Sequence, residues 1–135
     1  MGTRELRRRI FPRTRRPGDA GRAAKAAPIL NAKNPDLTAF LKRGGRLIQY
    51  HGWNDPQIAP GFSLRYYRSV AEQMGSVDAF YRLFMVPGMA HCSGGEGTSS
   101  FDMLSALERW VEQNQPPDRI AAARVNDGHV ERTRP

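Results

Sequence analysis

The apolar residues of this chain fall into short runs and helical repeats that alternate along the sequence. Two runs, Leu47–Tyr50 and Tyr81–Val86, are bounded by turn residues, a pattern that favours buried parallel strands over helices. Between them, apolar residues recur at helical spacing from Phe62 to Met74, and Gly75 predicts the end of that helix. The sequence therefore predicts a strand, a helix and a second strand in succession.

Helices are also predicted on both sides of this strand pair. Asn34-Pro35-Asp36 is a typical helix start, and Gly44-Gly45 ends the short helix that follows. Ser100 is the expected N-cap of a last helix that carries Trp110 on its apolar face. Ile120–Val125 is a candidate edge strand, followed by an Asn-Asp-Gly turn signal. The fold class is therefore α/β, with a βαβα unit whose crossover is expected to be right-handed.

The net charge of +8 is concentrated at the N-terminus. Residues 1–27 carry nine basic and two acidic residues, whereas residues 28–135 carry 12 basic and 11 acidic residues. Because residues 1–27 have few large apolar side chains, ordering them would cost more entropy than burial returns. We expect residues 1–27 to be a disordered basic tail, either a solvated tail or a misassigned start of the reading frame. A small basic nucleic-acid-binding protein is the alternative function.

Residues 28–135 are expected to be part of a larger domain. A two-stranded parallel unit leaves both edges of its sheet open, whereas parallel sheets are normally buried. Open edges of this kind can also support self-association of the chain.

Targeting signals are not visible in the sequence. The basic N-terminus lacks the apolar segment of a secretory signal peptide, and there is no run of 18 apolar residues. Cys92 is the only cysteine, so the chain can form no internal disulfide. We therefore expect no membrane partner, and the sequence by itself leaves the location of the chain unknown.

Polar loops follow both predicted strands, and they carry the candidate chemistry. Asp55 lies after the first strand and His91 after the second. The carboxyl ends of parallel strands meet at one edge of a sheet, where catalytic side chains are commonly presented. An acid followed in the chain by a histidine fits the α/β-hydrolase triad, whose order is Ser, then Asp or Glu, then His. In that mechanism the acid holds the imidazole in the useful tautomer, and the imidazole takes the proton of the nucleophile.

Four motifs resemble the tannase and feruloyl esterase family. They are Asn34-Pro-Asp-Leu37, Tyr50-His-Gly-Trp-x-Asp-Pro-x-Ile-x-Pro60, Tyr81-Arg-Leu-Phe-Met-Val-Pro-Gly-Met-x-His-Cys92 and Pro117-Asp-Arg-Ile120. The resemblance covers about residues 28–135 and implies the C-terminal βαβα portion of an α/β-hydrolase fold. It implies a serine carboxylic ester hydrolase, whose full-length parent acts on small aromatic-acid esters such as gallates or ferulates. Members of the family are usually secreted or periplasmic.

The resemblance also implies roles for three residues. Asp55 would orient His91, His91 would be the general base and acid, and Cys92 would be half of a disulfide to a cysteine beside the nucleophilic serine. The 135 residues contain neither that serine nor the family's calcium-binding lid domain, so no nucleophile, metal site or cofactor is assigned to this chain. We expect the chain alone to be inactive.

Other interpretations of these loops remain open. Asp55 could simply cap the turn before Pro56, and His51 is more typical of a structural histidine at a strand end. Ser93 lacks the Gly-x-Ser-x-Gly elbow of a nucleophile, and the glycine-rich loop around it lacks the lysine of a phosphate-binding loop. His51, Asp55, His91 and Cys92 include permissible zinc ligands, without the usual close-spaced pairs.

Overall fold

The computed structural model describes residues 19–135, and the chain divides into two compact units, residues 1–33 and 34–135. In the first unit, helix α1 spans Asp19–Leu30. Residues 19–27 of the predicted disordered tail lie in this helix, and residues 1–18 of that tail lie outside the described residues. The prediction weighed only the lack of apolar burial, whereas this segment contains five alanines, the residue with the highest helix propensity.

The second unit contains three helices and five strands. In chain order they are α2 (Thr38–Lys42), β1 (Leu47–Gly52), α3 (Gly61–Met74), β2 (Tyr81–Val86), β3 (Ser100–Phe101), α4 (Met103–Gln113), β4 (Ala122–Asn126) and β5 (His129–Arg134). The strands form two sheets, one with the order β1-β2 and one with the order β3-β4-β5.

Strands β1 and β2 are parallel, as the sequence predicts, and α3 connects them. Their register runs from Leu47 opposite Tyr81 to Gly52 opposite Val86, so both strands end at the same edge of the sheet. A buried core cluster consists of Val70 from α3, Val77 and Phe80 from the segment before β2, and Tyr81 at the start of β2. This core fixes the two strands, and with them the two loops that leave their carboxyl ends.

Helix α4 packs through Trp110, which is buried, and lies against β1. The guanidinium groups of Arg46 and Arg82, at the starts of the two parallel strands, both lie 5.9 Å from the centre of the indole. Arg82 is also paired with Asp78 at 3.2 Å and with Asp118 at 3.6 Å. A cation over an aromatic ring is attracted by the negative face of the ring, so these contacts hold α4 against the amino ends of the strands.

The start of α4 differs from the prediction. Ser100 lies in β3, and Asp102 is the N-cap, with its Oδ1 accepting the backbone N–H of Ser105 at 2.9 Å. A serine and an aspartate two residues apart are both good caps, so the residue pattern alone did not separate them. The difference matters because Ser100 is freed to pair with β4.

The predicted strand exists, but it is the central strand of the second sheet, so its prediction as an edge strand is wrong. It spans Ala122–Asn126 and pairs in antiparallel fashion with β3 and with β5, a strand that the sequence analysis did not predict. The turn between β4 and β5 has Asp127 at φ 48° and Gly128 at φ 79°. Two successive positive φ values suit a tight hairpin, which the Asn-Asp-Gly signal indicated.

Several large apolar side chains remain exposed. Trp53 and Ile58 flank the loop after β1 and are each 48% exposed, and Phe62 at the start of α3 is 56% exposed. Among residues 19–135, no helix has the length and apolar character that crossing a membrane requires.

Candidate active site

The loops that follow β1 and β2 are packed directly against each other. The backbone N–H of Trp53 donates to the carbonyl of Val86 at 3.0 Å, and that of Asn54 donates to the carbonyl of Met89 at 3.0 Å. A Cβ atom at Gly52 would overlap the carbonyl oxygens of Met89 and Ala90. The close approach of the two backbones thus depends on the absence of a side chain at position 52.

Asp55 and His91 meet across this contact, as their order in the sequence predicts. His91 Nδ1 lies 2.8 Å from Asp55 Oδ2. The Asp55 side chain is almost fully buried at 3% exposure, whereas that of His91 is 33% exposed. The arrangement joins a fixed carboxylate to an imidazole that solvent can reach.

The Asp55 carboxylate is held by its own loop as well as by His91. Its Oδ1 accepts the backbone N–H of Gln57 at 2.8 Å and that of Ile58 at 2.9 Å. This is the turn-forming role that an aspartate before a proline commonly has. The turn-capping and triad interpretations of Asp55 are therefore compatible, because the two roles use different carboxylate oxygens.

Burial and hydrogen bonding act in opposite directions on the pKa of Asp55. Burial raises this pKa, but the hydrogen bonds from the Ile58 N–H, from His91 and from the Gln57 N–H together place it well below the usual range. Asp55 is therefore ionised at neutral pH and can only accept hydrogen bonds. The Nδ1 atom of His91 must then carry the proton of the shared bond, and in the neutral ring Nε2 is left as a base.

A second histidine contacts the same carboxylate. His51 Nε2 lies 3.2 Å from Asp55 Oδ2 and 3.1 Å from the carbonyl oxygen of Ile58, and its Nδ1 lies 2.7 Å from Ser63 Oγ. The sequence analysis treated His51 as structural and did not single out Ser63. One signal was available, since Gln49 and His51 alternate along an otherwise apolar strand and must share a face.

Cys92 follows His91 in a tight loop. Its φ is 62°, and its free thiol is exposed. The loop is closed by hydrogen bonds from the N–H of Ser93 to the carbonyl of His91 at 2.8 Å and from the N–H of Ala90 to the carbonyl of Gly94 at 3.2 Å. The thiol of Cys92 is therefore accessible to solvent.

The antiparallel sheet anchors the far end of the same loop. Arg124 Nη1 in β4 donates to the carbonyl of Glu96 at 2.7 Å, and Arg132 in β5 donates to the same oxygen. A cavity of about 600 Å³ lies between β2, this loop and the antiparallel sheet, and its lining includes neither Asp55 nor His91. The anchor was missed from the sequence because it depends on β5, which was not predicted.

The zinc alternative lacks a ligand cluster in the part of the chain that the structure describes. Within residues 19–135, no group of three or more His, Cys, Asp or Glu residues is placed to hold a metal ion. Asp55 has its acceptor positions occupied by N–H donors, which leaves little capacity for a metal.

The fold and the site together define a class of protein. A parallel strand pair that presents an Asp–His pair at its carboxyl edge is typical of ester hydrolases with the α/β-hydrolase fold. The family model for tannase and feruloyl esterase matches residues 13–135, so the chain belongs to the tannase and feruloyl esterase family. The match extends into the segment that sequence analysis assigned to the basic tail.

Individual relatives are similar to this chain over part of their own length. Mono(2-hydroxyethyl) terephthalate hydrolase of Piscinibacter sakaiensis is 45% identical over 107 residues, which are 77% of this chain and 18% of that protein. The crystal structure of feruloyl esterase B from Aspergillus oryzae superposes with a TM-score of 0.76 at 35% identity, over 86% of this chain and 27% of that one. Tannin acyl hydrolase from Aspergillus niger gives a TM-score of 0.71 at 27% identity, over 84% and 24%. The chain thus spans about a quarter or less of the length of these relatives.

Proposed function

We propose that this chain supplies the acid and the base of a serine carboxylic ester hydrolase that acts on aromatic-acid esters. The 2.8 Å hydrogen bond between His91 Nδ1 and Asp55 Oδ2 is the observation that carries the proposal. This bond leaves Nε2 of the solvent-accessible imidazole free to act as a base. The carboxylate beside it stays ionised. This is the arrangement that the second and third members of a Ser-Asp-His triad require.

The nucleophile in this scheme lies outside the 135 residues, since no Gly-x-Ser-x-Gly elbow occurs among them. His91 Nε2 would remove the proton of that serine as its oxygen attacks the ester carbonyl. The imidazolium would then protonate the departing alcohol, leaving an acyl-enzyme. Water would hydrolyse the acyl-enzyme by the same route and release the aromatic acid.

Asp55 would support both steps without exchanging a proton itself. Its carboxylate would stabilise the imidazolium and hold Nδ1 as the donor, so that Nε2 always points to the reaction. Replacement of the acid in such a triad lowers kcat by about 10⁴-fold. A loss of this size distinguishes a triad member from a residue that merely caps a turn.

The substrate class is inferred from the relatives' names, which include a feruloyl esterase, a tannin acyl hydrolase and a terephthalate monoester hydrolase. The substrate that these names have in common is an ester of an aromatic carboxylic acid. Trp53 and Ile58, which are exposed on the loop that carries Asp55, are suitable neighbours for an aromatic acyl group. Nothing in the comparisons favours the nucleic-acid-binding alternative.

The purified chain should be inactive on methyl ferulate and methyl gallate, because no Gly-x-Ser-x-Gly elbow occurs in its sequence to supply a serine for His91 to activate. The positive test is a chimaera in which residues 34–135 replace the matching segment of the terephthalate hydrolase relative. Activity in the chimaera should be lost on Asp55→Ala or His91→Ala and retained on His129→Ala, which removes an exposed histidine of β5.

Besides a folded chimaera that is inactive, two results would contradict the proposal. One is turnover by the isolated chain that His91→Ala abolishes. The other is a folded, active chimaera that tolerates His91→Ala.

A further inference from the structure

A chain of side-chain hydrogen bonds runs from the hydrophobic core to Asp55. The Tyr81 hydroxyl donates to Gln49 Oε1, and Gln49 Nε2 donates to Ser63 Oγ at 2.9 Å. Ser63 Oγ lies 2.7 Å from His51 Nδ1, and His51 Nε2 lies 3.2 Å from Asp55 Oδ2. Tyr81 is 0% and Ser63 7% exposed, and the side chain of His51 is 11% exposed. The chain is therefore largely withdrawn from water.

The direction of each hydrogen bond follows from its partners. His51 Nε2 faces two groups that can only accept, the Asp55 carboxylate and the Ile58 carbonyl, so it must carry a proton. Ser63 Oγ accepts from Gln49 Nε2, so its own proton is available to donate to His51 Nδ1 when that nitrogen is unprotonated. In the neutral imidazole the single proton of His51 is then on Nε2, and every group in the chain donates toward Asp55.

The arrangement also fills the acceptor capacity of the carboxylate. Oδ1 takes the two backbone N–H groups of Gln57 and Ile58, and Oδ2 takes one N–H from each of the two histidines. An ionised carboxylate has about four acceptor sites, so none is left free to turn elsewhere. The hydrogen bond from His51 therefore holds Asp55 Oδ2 in the position where it meets His91 Nδ1.

We propose that His51 is a positioning residue for the Asp55–His91 pair, and that Ser63 sets its tautomer. The inference rests on the proposed function only in giving Asp55 the task of orienting His91. His51 holds Asp55 Oδ2, the oxygen that the backbone N–H groups of the loop do not use, and Ser63 keeps His51 Nδ1 an acceptor. A proton on both nitrogens of His51 would place a second cation on Oδ2, in competition with the imidazolium of His91 for that oxygen.

The test is nitrogen-15 NMR of the full chain with labelled histidine. The chain has three histidines, and single His→Gln variants assign their signals. At neutral pH, His51 should show a protonated Nε2 and an unprotonated Nδ1, and His91 should show a protonated, strongly hydrogen-bonded Nδ1. Either the opposite tautomer or a doubly protonated His51 would overturn the proposal.

Two pairs of variants separate positioning from packing. Ser63→Ala should shift the Nδ1 signal of His51 and disturb the Nδ1–H signal of His91. Ser69→Ala should shift neither, although Ser69 lies in the same helix and also makes a hydrogen bond, to the carbonyl of Tyr66. In the second pair, His51→Gln keeps an N–H donor that can reach Asp55, and His51→Leu does not.

The His91 Nδ1–H signal should therefore survive in His51→Gln and be lost or strongly shifted in His51→Leu. Equal effects of the two substitutions, or none from Ser63→Ala, would show that His51 only fills space. These signals are independent of catalysis. An inactive chimaera with intact His51 and His91 signals would refute the proposed function and leave the positioning role standing.

Discussion

Replacing Gly52 with alanine should separate the two loops that bring Asp55 and His91 together. Gly52 is buried, and the added Cβ would overlap the carbonyl oxygens of both Met89 and Ala90. These are backbone atoms, so the overlap can be relieved only by moving one loop away from the other. No flexible side chain is available to give way.

The cost can be worked from the contacts that would be lost. Overpacking of a buried site typically destabilises by about 1–3 kcal/mol. Separation of the loops would also break the Asn54 N–H bond to the Met89 carbonyl, 3.0 Å in the native protein, worth about 0.5–1.5 kcal/mol. The sum is about 1.5–4.5 kcal/mol, a large share of the roughly 5–15 kcal/mol that stabilises an ordinary domain.

Urea denaturation followed by circular dichroism gives the change in unfolding free energy, and the His91 Nδ1–H signal reports the contact with Asp55. Gly61→Ala is the matched control, because a Cβ there meets only the end of the Arg65 side chain at 3.4 Å. Gly52→Ala should lower the stability and remove the His91 signal, and Gly61→Ala should do neither. If the unfolding free energy of Gly52→Ala lies within about 0.5 kcal/mol of the native value, the close approach of the loops does not constrain the residue at position 52.

Three further predictions concern single residues. Because the folded-state pKa of Asp55 lies below its ordinary value of about 3.9, its contribution to stability is complete above that pH and is lost as the pH falls toward the folded-state pKa. Urea midpoints measured against pH should therefore fall more steeply in acid for the native chain than for Asp55→Asn, and parallel curves would contradict this. Asp102→Ala should cost about 0.5–2 kcal/mol through loss of the cap on Ser105, whereas Glu108→Ala in the same helix should change the unfolding free energy by less than about 0.5 kcal/mol. Cys92 should react with a thiol reagent in the native protein, at one thiol per chain, and a requirement for denaturant would show that it is shielded.

The parts of the fold that were predictable are those set by local pattern. The strand pair and the helix between them were recognised because β1 and β2 are short, mostly apolar runs bounded by turn residues and α3 has a helical repeat that ends at Gly75. The meeting of Asp55 and His91 followed from topology alone, since parallel neighbouring strands end at one edge. The sequence order of an acid and a histidine was therefore enough to predict their proximity.

The parts that were missed depend on contacts between distant segments. Strand β5 has exposed residues throughout and no apolar alternation, so only its pairing with β4 reveals it. Helix α1 was missed because burial was given more weight than the helix propensity of an alanine-rich segment. In the hydrogen-bonded chain that runs to Asp55, Tyr81 and Gln49 are 32 positions apart in the sequence, and Ser63 and His51 are 12 positions apart. Pairings between such distant positions are not visible in a single sequence.

The acid–base half of the proposed site is assembled without help from other parts of a larger protein. Asp55 receives all four of its hydrogen bonds from residues between 51 and 91, and the loop contact at Gly52 lies in the same span. The nucleophile and the donors that stabilise its oxyanion normally come from an elbow and from a loop earlier in the fold. The chain can therefore hold a correctly oriented imidazole and still be inactive, which is why the histidine signals and the activity of the chimaera must be measured as separate properties.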